Sequence, residues 1–367
     1  ALENNPEIKN AKLNIQLAEK MKKSAINLPP PEFTYEYGQI NSSLNDRFID
    51  LSQSFDFPLL YSARNRYFKR QLRLEQAKFN YSEQQIIAEV KKAYFNWLTS
   101  WWKLILTREE DSIYKTFLRA VKLQSETGEL NMMAHSMAET QAVNVSFKLR
   151  ELQMQLAENL NNLQLLLNTK KEFKPPQAKY EKLTSPLIVD MIAADPAAPH
   201  LQVFENQAQV MEAASKIEGM KFFPGFQVGY FDQTIDNQSG FTGWKVGVSI
   251  PMWFWSQSAE KQSARLRYEM AANTLDAEHI RIENRLDKLK SDLKHYSGML
   301  QIYESKTLEQ IGGIIRNSLT ALSEGEIDYF EYVLTISQAY EMKANYYNLL
   351  NKYNQTVVEI EKYIARN

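Results

Sequence analysis

The sequence predicts an α+β membrane protein in which four β-strands per chain join those of other copies in a β-barrel, with very long helices attached. Three observations predict it: two proline-free blocks with helical periodicity, a second half that follows the first at an offset of about 193 residues, and paired segments of alternating polarity.

Proline placement delimits the helices. The 12 prolines stand at 6, 29, 30, 31, 58, 175, 176, 186, 196, 199, 224 and 251, which leaves 59–174 and 252–367 free of them. The first block has one glycine, Gly128 in "SETGELNMM", so it is predicted to be a helical hairpin over 59–168 turning there. The second, 252–367, is predicted to turn at Gly325 in "SEGEIDYF", with Gly312 and Gly313 as a kink and Gly298 as a lesser weak point. At the α-helical rise, 59–127 spans ~100 Å. The returning helix 131–168 (~57 Å) and an opening helix 1–27 (~40 Å) together match that length.

The repeat is carried by aligned punctuation. Shifting the chain by 193 residues places Pro6 on Pro199, Gln16 on Gln209, Glu19 on Glu212, Lys23 on Lys216, Pro31 on Pro224, Phe33 on Phe226, Tyr37 on Tyr230, Phe48 on Phe241 and Pro58 on Pro251. The chain therefore divides into a first repeat (1–168), a linker (169–198) and a second repeat (199–367).

Strands are predicted at about 33–43 and 47–57, and again at about 226–236 and 241–250. In 48–57 the odd positions Ile49, Leu51, Phe55 and Phe57 are apolar, Gln53 excepted, while Asp50, Ser52, Ser54 and Asp56 are polar. In 241–250 Trp244, Val246, Val248 and Ile250 face away from Gly243, Lys245, Gly247 and Ser249. The odd offset keeps the same face apolar in both halves. Ten or eleven residues suit a tilted crossing of an outer membrane. Four strands cannot close on themselves, and lipid tolerates no open edge, so three chains supplying twelve strands is the expected solution. Trp253, Phe254 and Trp255 suit the membrane–water interface.

Composition narrows the chemistry. A net charge of −1 gives nucleic acid no electrostatic footing, and no apolar run reaches transmembrane-helix length. The first residues, "ALENNPEIKNA", read as a helix start rather than a signal peptide, so the N-terminus is read as trimmed. Without cysteine there is no disulfide, thiolate ligand or thiol nucleophile. The histidines 135, 200, 279 and 295 are dispersed, and no HExxH, GxSxG, Walker or GxGxxG pattern occurs, so neither enzymatic activity nor a cofactor is expected. His279 and Glu283 share a helical face but lack a third ligand, and read as a solvated surface.

With its repeat, its "SIPMWFWSQSAEKQSARLR" junction and its "EGEIDYFEYVLTISQAYEMKANYYNLLNKYNQTVVEIEKY" end, the chain resembles the TolC-like outer-membrane efflux proteins, in particular their heavy-metal (CusC/CzcC-like) branch. The resemblance implies a homotrimer in the outer membrane of a Gram-negative bacterium, with a 12-stranded barrel among lipid, a 12-helix periplasmic α-barrel and an equatorial belt from 169–198. It implies partnership with a periplasmic adaptor and an inner-membrane RND pump, fused or co-encoded, to export heavy-metal cations or small toxic compounds. Drug efflux and type I secretion remain open, as does, from another class, a soluble coiled-coil scaffold. Two departures stand out: these 367 residues do not include the usual first strand-like segment or a lipid-carrying N-terminal cysteine, which leaves lipid anchoring untested, and "YSAR" follows Pro58 where many members carry glycine.

By the same resemblance Gly128, Glu129, Leu130, Gly325, Glu326 and Ile327 form the adaptor-docking tips and periplasmic gate. Glu126, Glu324 and Asp328 join Glu129 and Glu326 as a candidate ring of acids around a tunnel mouth, attracting cations. Beside the first turn, Met132, Met133, His135 and Met137 have the soft donors that suit Cu(I) or Ag(I), although methionines at such a place also pack adaptably against partner helices.

Overall fold

A computed structural model describes residues 1–126, 132–175, 180–184, 199–252 and 254–363. The elements run α1 (Pro6–Lys23), β1 (Glu32–Gly38), β2 (Asp46–Phe55), α2 (Pro58–Glu126), α3 (Met132–Leu167), α4 (Pro199–Met220), β3 (Gly225–Ile235), β4 (Gln238–Ser249), α5 (Phe254–Ile302), a π turn (Tyr303–Thr307), α6 (Leu308–Ser323) and α7 (Tyr329–Lys362). Pro6 opens α1 where a missing N–H costs nothing, and the Asn5 side chain accepts from Glu7 N at 2.8 Å. No described helix is long and apolar enough to cross a membrane.

The strands form one antiparallel sheet in the order β1-β2-β3-β4. β1 stops at Gly38, short of the expected 43, because Asp46 gathers the loop that follows. Its carboxylate accepts from Asn41 N (2.8 Å), Ser42 N (2.7 Å) and, out of the second hairpin, Asp236 N (3.1 Å). β4 begins at Gln238, ahead of the expected 241. The turn is Asp236–Asn237, both at positive φ (52° and 64°), which continues the strand twist and lets pairing resume at once.

Two compact units are present, each drawing on both halves of the sequence. One comprises Ala1–Ile8, Ser82–Ala198 and Ile282–Asn367; the other comprises Lys9–Tyr81 and Pro199–Arg281 and holds the sheet. The first has an aromatic-rich core in which Tyr114, Phe117, Val121, Tyr332, Ile336 and Tyr340 cluster, and the Tyr114 hydroxyl donates to Val333 O at 3.0 Å. In the second, five alanines, Ala18, Ala77, Ala208, Ala213 and Ala264, are buried on the helices beside Leu60, Leu74, Leu201 and Val210. Side chains as small as alanine let helix backbones approach closely.

The break in the second helical block falls at Tyr303–Thr307, not at the expected Gly312–Gly313 pair, which lies inside α6. Of the 169–198 linker, residues 176–179 and 185–198 lie outside the described residues.

Candidate functional site

Cross-strand register sorts the sheet into two faces. On one face the rows read Phe55–Phe226–Val248, Gln53–Val228–Val246, Phe33–Leu51–Tyr230–Trp244 and Tyr35–Ile49–Asp232–Thr242. This apolar face is the exposed one: Val246 and Trp244 are each 77% exposed, Phe33 66% and Leu51 53%. Within it Gln53 is satisfied by carbonyls, donating to Pro29 O (2.7 Å) and Ser54 O (2.9 Å). An Arg47–Asp232 ion pair at 2.9 Å ends the apolar band.

The opposite face carries Asp46, Asp50, Ser52, Gln227 and Lys245, and here Asp46, Asp50 and Ser52 are buried. Lys245 on β4 reaches across β3 to Asp50 on β2, Nζ to Oδ2 at 2.7 Å. Its path requires Gly229, where a Cβ would meet Lys245 Cε at 3.2 Å and Ser52 Cβ at 3.0 Å. Beside it Gln227 donates to Ser52 Oγ at 3.1 Å. Nearer the hairpin turns Phe231 lies over Gly243, with ring atoms 2.7 and 2.8 Å from where a Cβ would stand, and stacks on Phe48 at 6.0 Å. The sheet thus inverts the order of a water-soluble protein, with apolar residues out and hydrogen-bonded polar residues in.

Phe254 and Trp255 open α5 and are exposed; Trp253 lies outside the described residues.

The second-half turn is built by backbone capping. Gly325, at φ 77°, donates to Leu322 O (3.2 Å) and Glu326 N donates to Ala321 O (2.9 Å), the paired bonds of a Schellman motif. Asp328 then caps α7: its carboxylate accepts from Glu331 N (2.7 Å), while Glu331 Oε2 accepts from Asp328 N (3.0 Å). Ile327 packs on the aromatic core, leaving Glu324, Glu326 and Asp328 exposed. Asp328, read from sequence as a mouth acid, is therefore also a helix cap; the signal was the D-x-x-E spacing.

Gly128, Glu129 and Leu130 lie outside the described residues, as does the side chain of Glu126, the last residue of α2. Met132 and Met133 are exposed, and His135 and Met137 half-buried, on the first turns of α3. Among the described residues no group of three or more His, Asp or Glu is arranged for a metal ion. His279 and Glu283 are exposed on α5; the histidine that meets a carboxylate is His200, whose Nε2 is 3.2 Å from Glu278 Oε2.

Two buried carboxylates on the helices differ in sign. Glu359 on α7 is desolvated, but Lys92 on α2 and Arg285 on α5 outweigh that and hold it below the ordinary carboxylate range. Glu110 on α2 is pushed upward by burial, which Lys148 at 3.3 Å only partly offsets.

Among known proteins, residues 1–169 match the family model described as outer membrane efflux protein. No curated protein sequence matches the chain. Its fold is similar to that of CusC, whose crystal structures concern folding and transmembrane channel formation (TM-score 0.81, 15% identity, covering 100% of this chain and 90% of that one). It is also similar to the outer membrane protein VceC of Vibrio cholerae (TM-score 0.76, 14% identity, 99% and 92% covered). The third comparison is the open MtrE outer membrane channel of Neisseria gonorrhoeae (TM-score 0.77, 12% identity, 98% and 86% covered). Residues 1–169 thus carry the sequence signature of the outer membrane efflux protein family, and the chain as a whole has the fold of these channel subunits.

Proposed function

We propose that the chain is one subunit of a trimeric outer-membrane efflux channel, non-enzymatic, whose four strands supply a third of a 12-stranded barrel. The observation that carries this reading is the inverted sheet. A face of Val, Leu, Phe, Tyr and Trp left exposed, opposite a polar face in which Asp46, Asp50 and Ser52 are buried and Lys245 pairs with Asp50, suits lipid outside and water inside. From the level of Ile250 to the Tyr35–Ile49–Asp232–Thr242 row the apolar face climbs four two-residue steps, about 27 Å along the strand and ~20 Å at the usual barrel tilt, close to a membrane band. β1 and β4 are the sheet's two outer strands, and in lipid a second copy must pair them. A soluble coiled-coil scaffold accounts for the helices but leaves this sheet without a purpose.

The cargo in this reading is a heavy-metal cation or small toxic compound, handed on by an RND pump and a periplasmic adaptor. The exposed Glu324, Glu326 and Asp328 support a cation-favouring mouth, and the Gly325 turn supplies a rigid knob for an adaptor. Purified protein in planar bilayers tests this. Discrete conductance steps with cation preference are expected, and the pair Glu129→Lys with Glu326→Lys should abolish or reverse the preference. Bilayers that stay silent with correctly assembled protein would overturn the channel reading, and unchanged preference in the pair would overturn the acidic mouth.

A further inference from the structure

The π turn Tyr303–Thr307 is a fault in the helical ladder: Leu308 N donates to Tyr303 O, one residue beyond the α-helical partner. The displaced carbonyl of Ile302 is shared by two hydroxyls, Ser305 Oγ and Thr307 Oγ1, each at 3.2 Å. Glycines bracket the turn at 298, 312 and 313. Beyond the local helix backbone, no atom of the chain lies within 4 Å of a Cβ placed at Gly298 or Gly313, and at Gly312 only the tip of the Arg316 side chain does, at 3.2 Å. Packing within the single chain therefore does not require glycine at these positions. What glycine supplies is backbone freedom, each lowering the helical equilibrium about fivefold relative to alanine.

Against this soft stretch lies a firmly anchored strap, residues 180–184. Tyr180 is buried, its hydroxyl 3.1 Å from Thr99 Oγ1 on α2. Asn354 on α7, fully buried, accepts from Leu183 N (2.7 Å) and donates to Glu181 O (3.2 Å). The strap carries Lys182 to Glu304 in the π turn, Nζ to Oε2 at 2.6 Å, and the Tyr346 hydroxyl donates to the other carboxylate oxygen at 3.4 Å. This ion pair, a third exposed on each side, is thus the polar link between the strap and the π turn, beside an apolar contact in which Leu183, Tyr303 and Leu308 pack on the cluster of Tyr180 and Leu300.

We propose that residues 298–313 are a hinge at which α6 and the Gly325 turn change angle relative to α5, and that Lys182–Glu304 is the latch holding it. The hinge stands on these contacts alone. Its consequence, that opening of a conduit begins here, rests on the channel reading above.

Hydrogen exchange on the full chain in detergent reads the hinge directly. Amides of 304–316 are expected to exchange faster than those of 282–296 or 346–360. Gly312→Ala with Gly313→Ala should slow them about twentyfold, the combined change in helix propensity. Lys182→Gln should speed 304–308 roughly two- to fivefold, the worth of a partly exposed ion pair. Uniform exchange across α5 and α6, or no response to the alanine pair, would overturn the hinge whatever the protein conducts. In bilayer recordings the alanine pair should reduce opening frequency without changing open conductance. Altered exchange with unaltered opening would overturn the gating consequence, and altered exchange without any channel would tell against the channel reading while upholding the hinge.

Discussion

Replacing Val246 with Arg separates a lipid-facing sheet from a water-facing one. Val246 sits mid-band, in the row of Gln53 and Val228, and is 77% exposed in the single chain. In water, a substitution at so open a site changes stability by no more than about 0.5 kcal/mol. At a bilayer midplane the same Arg costs about 2–4 kcal/mol. If three copies close one barrel, the total is roughly 6–12 kcal/mol, enough to prevent assembly or make it visibly heat-labile. Ser249→Arg, on the opposite face of the same strand, is the control: it should alter conduction and leave stability nearly unchanged. Denaturant unfolding in lipid vesicles measures both. Equal costs for the two variants, or none for Val246→Arg, would refute the assigned faces.

Four substitutions on the helices and at their ends have definite expected outcomes. Gly325→Ala forces a side chain into a left-handed backbone and should cost about 1–2 kcal/mol, and Asp328→Ala should cost about 1 kcal/mol through the lost cap, both read as faster amide exchange over 318–334. Because the pKa of Glu359 is lowered, its stabilisation is present above the unfolded value of 4.5 and lost as pH falls through the folded one; Glu359→Gln should cost about 1–2 kcal/mol at neutral pH and nothing in strong acid, in melting curves against pH. The pKa of Glu110 is raised, so its contribution has the opposite sign, full below 4.5 and lost as pH rises through the folded value. Glu110→Gln should therefore match or exceed the parent in Tm at pH 8 and lose that advantage on acidification.

Helices and strands were legible where a single physical rule governs many residues. Freedom from proline over 59–174 bounds what becomes α2 and α3, and period-two alternation exposes the strand faces because pleating allows no other order. Gln53, the exception to that alternation, needed the structure, since its partner Pro29 O lies on a preceding segment. β1 was read too long because Ser, Asn and Gln around 39–43 alternate weakly with Ile40 and Leu44, and nothing local shows that Asp46 collects their amides. The π turn escaped because "YESKT" has no helix-breaking residue, whereas the visible glycines at 312 and 313 stay helical. Contacts made across the sequence, such as Lys245 to Asp50 or Asn354 to 181–183, have no local signature at all.

In the proposed assembly this sheet is one part of a barrel completed by identical chains. Mass determination of the intact protein in detergent micelles counts those chains. Three chains per particle, stable on dilution, is the expected result; a monodisperse monomer that stays soluble after the detergent is removed would contradict it, because the exposed Trp244, Val246 and Val248 face would then be at rest in water.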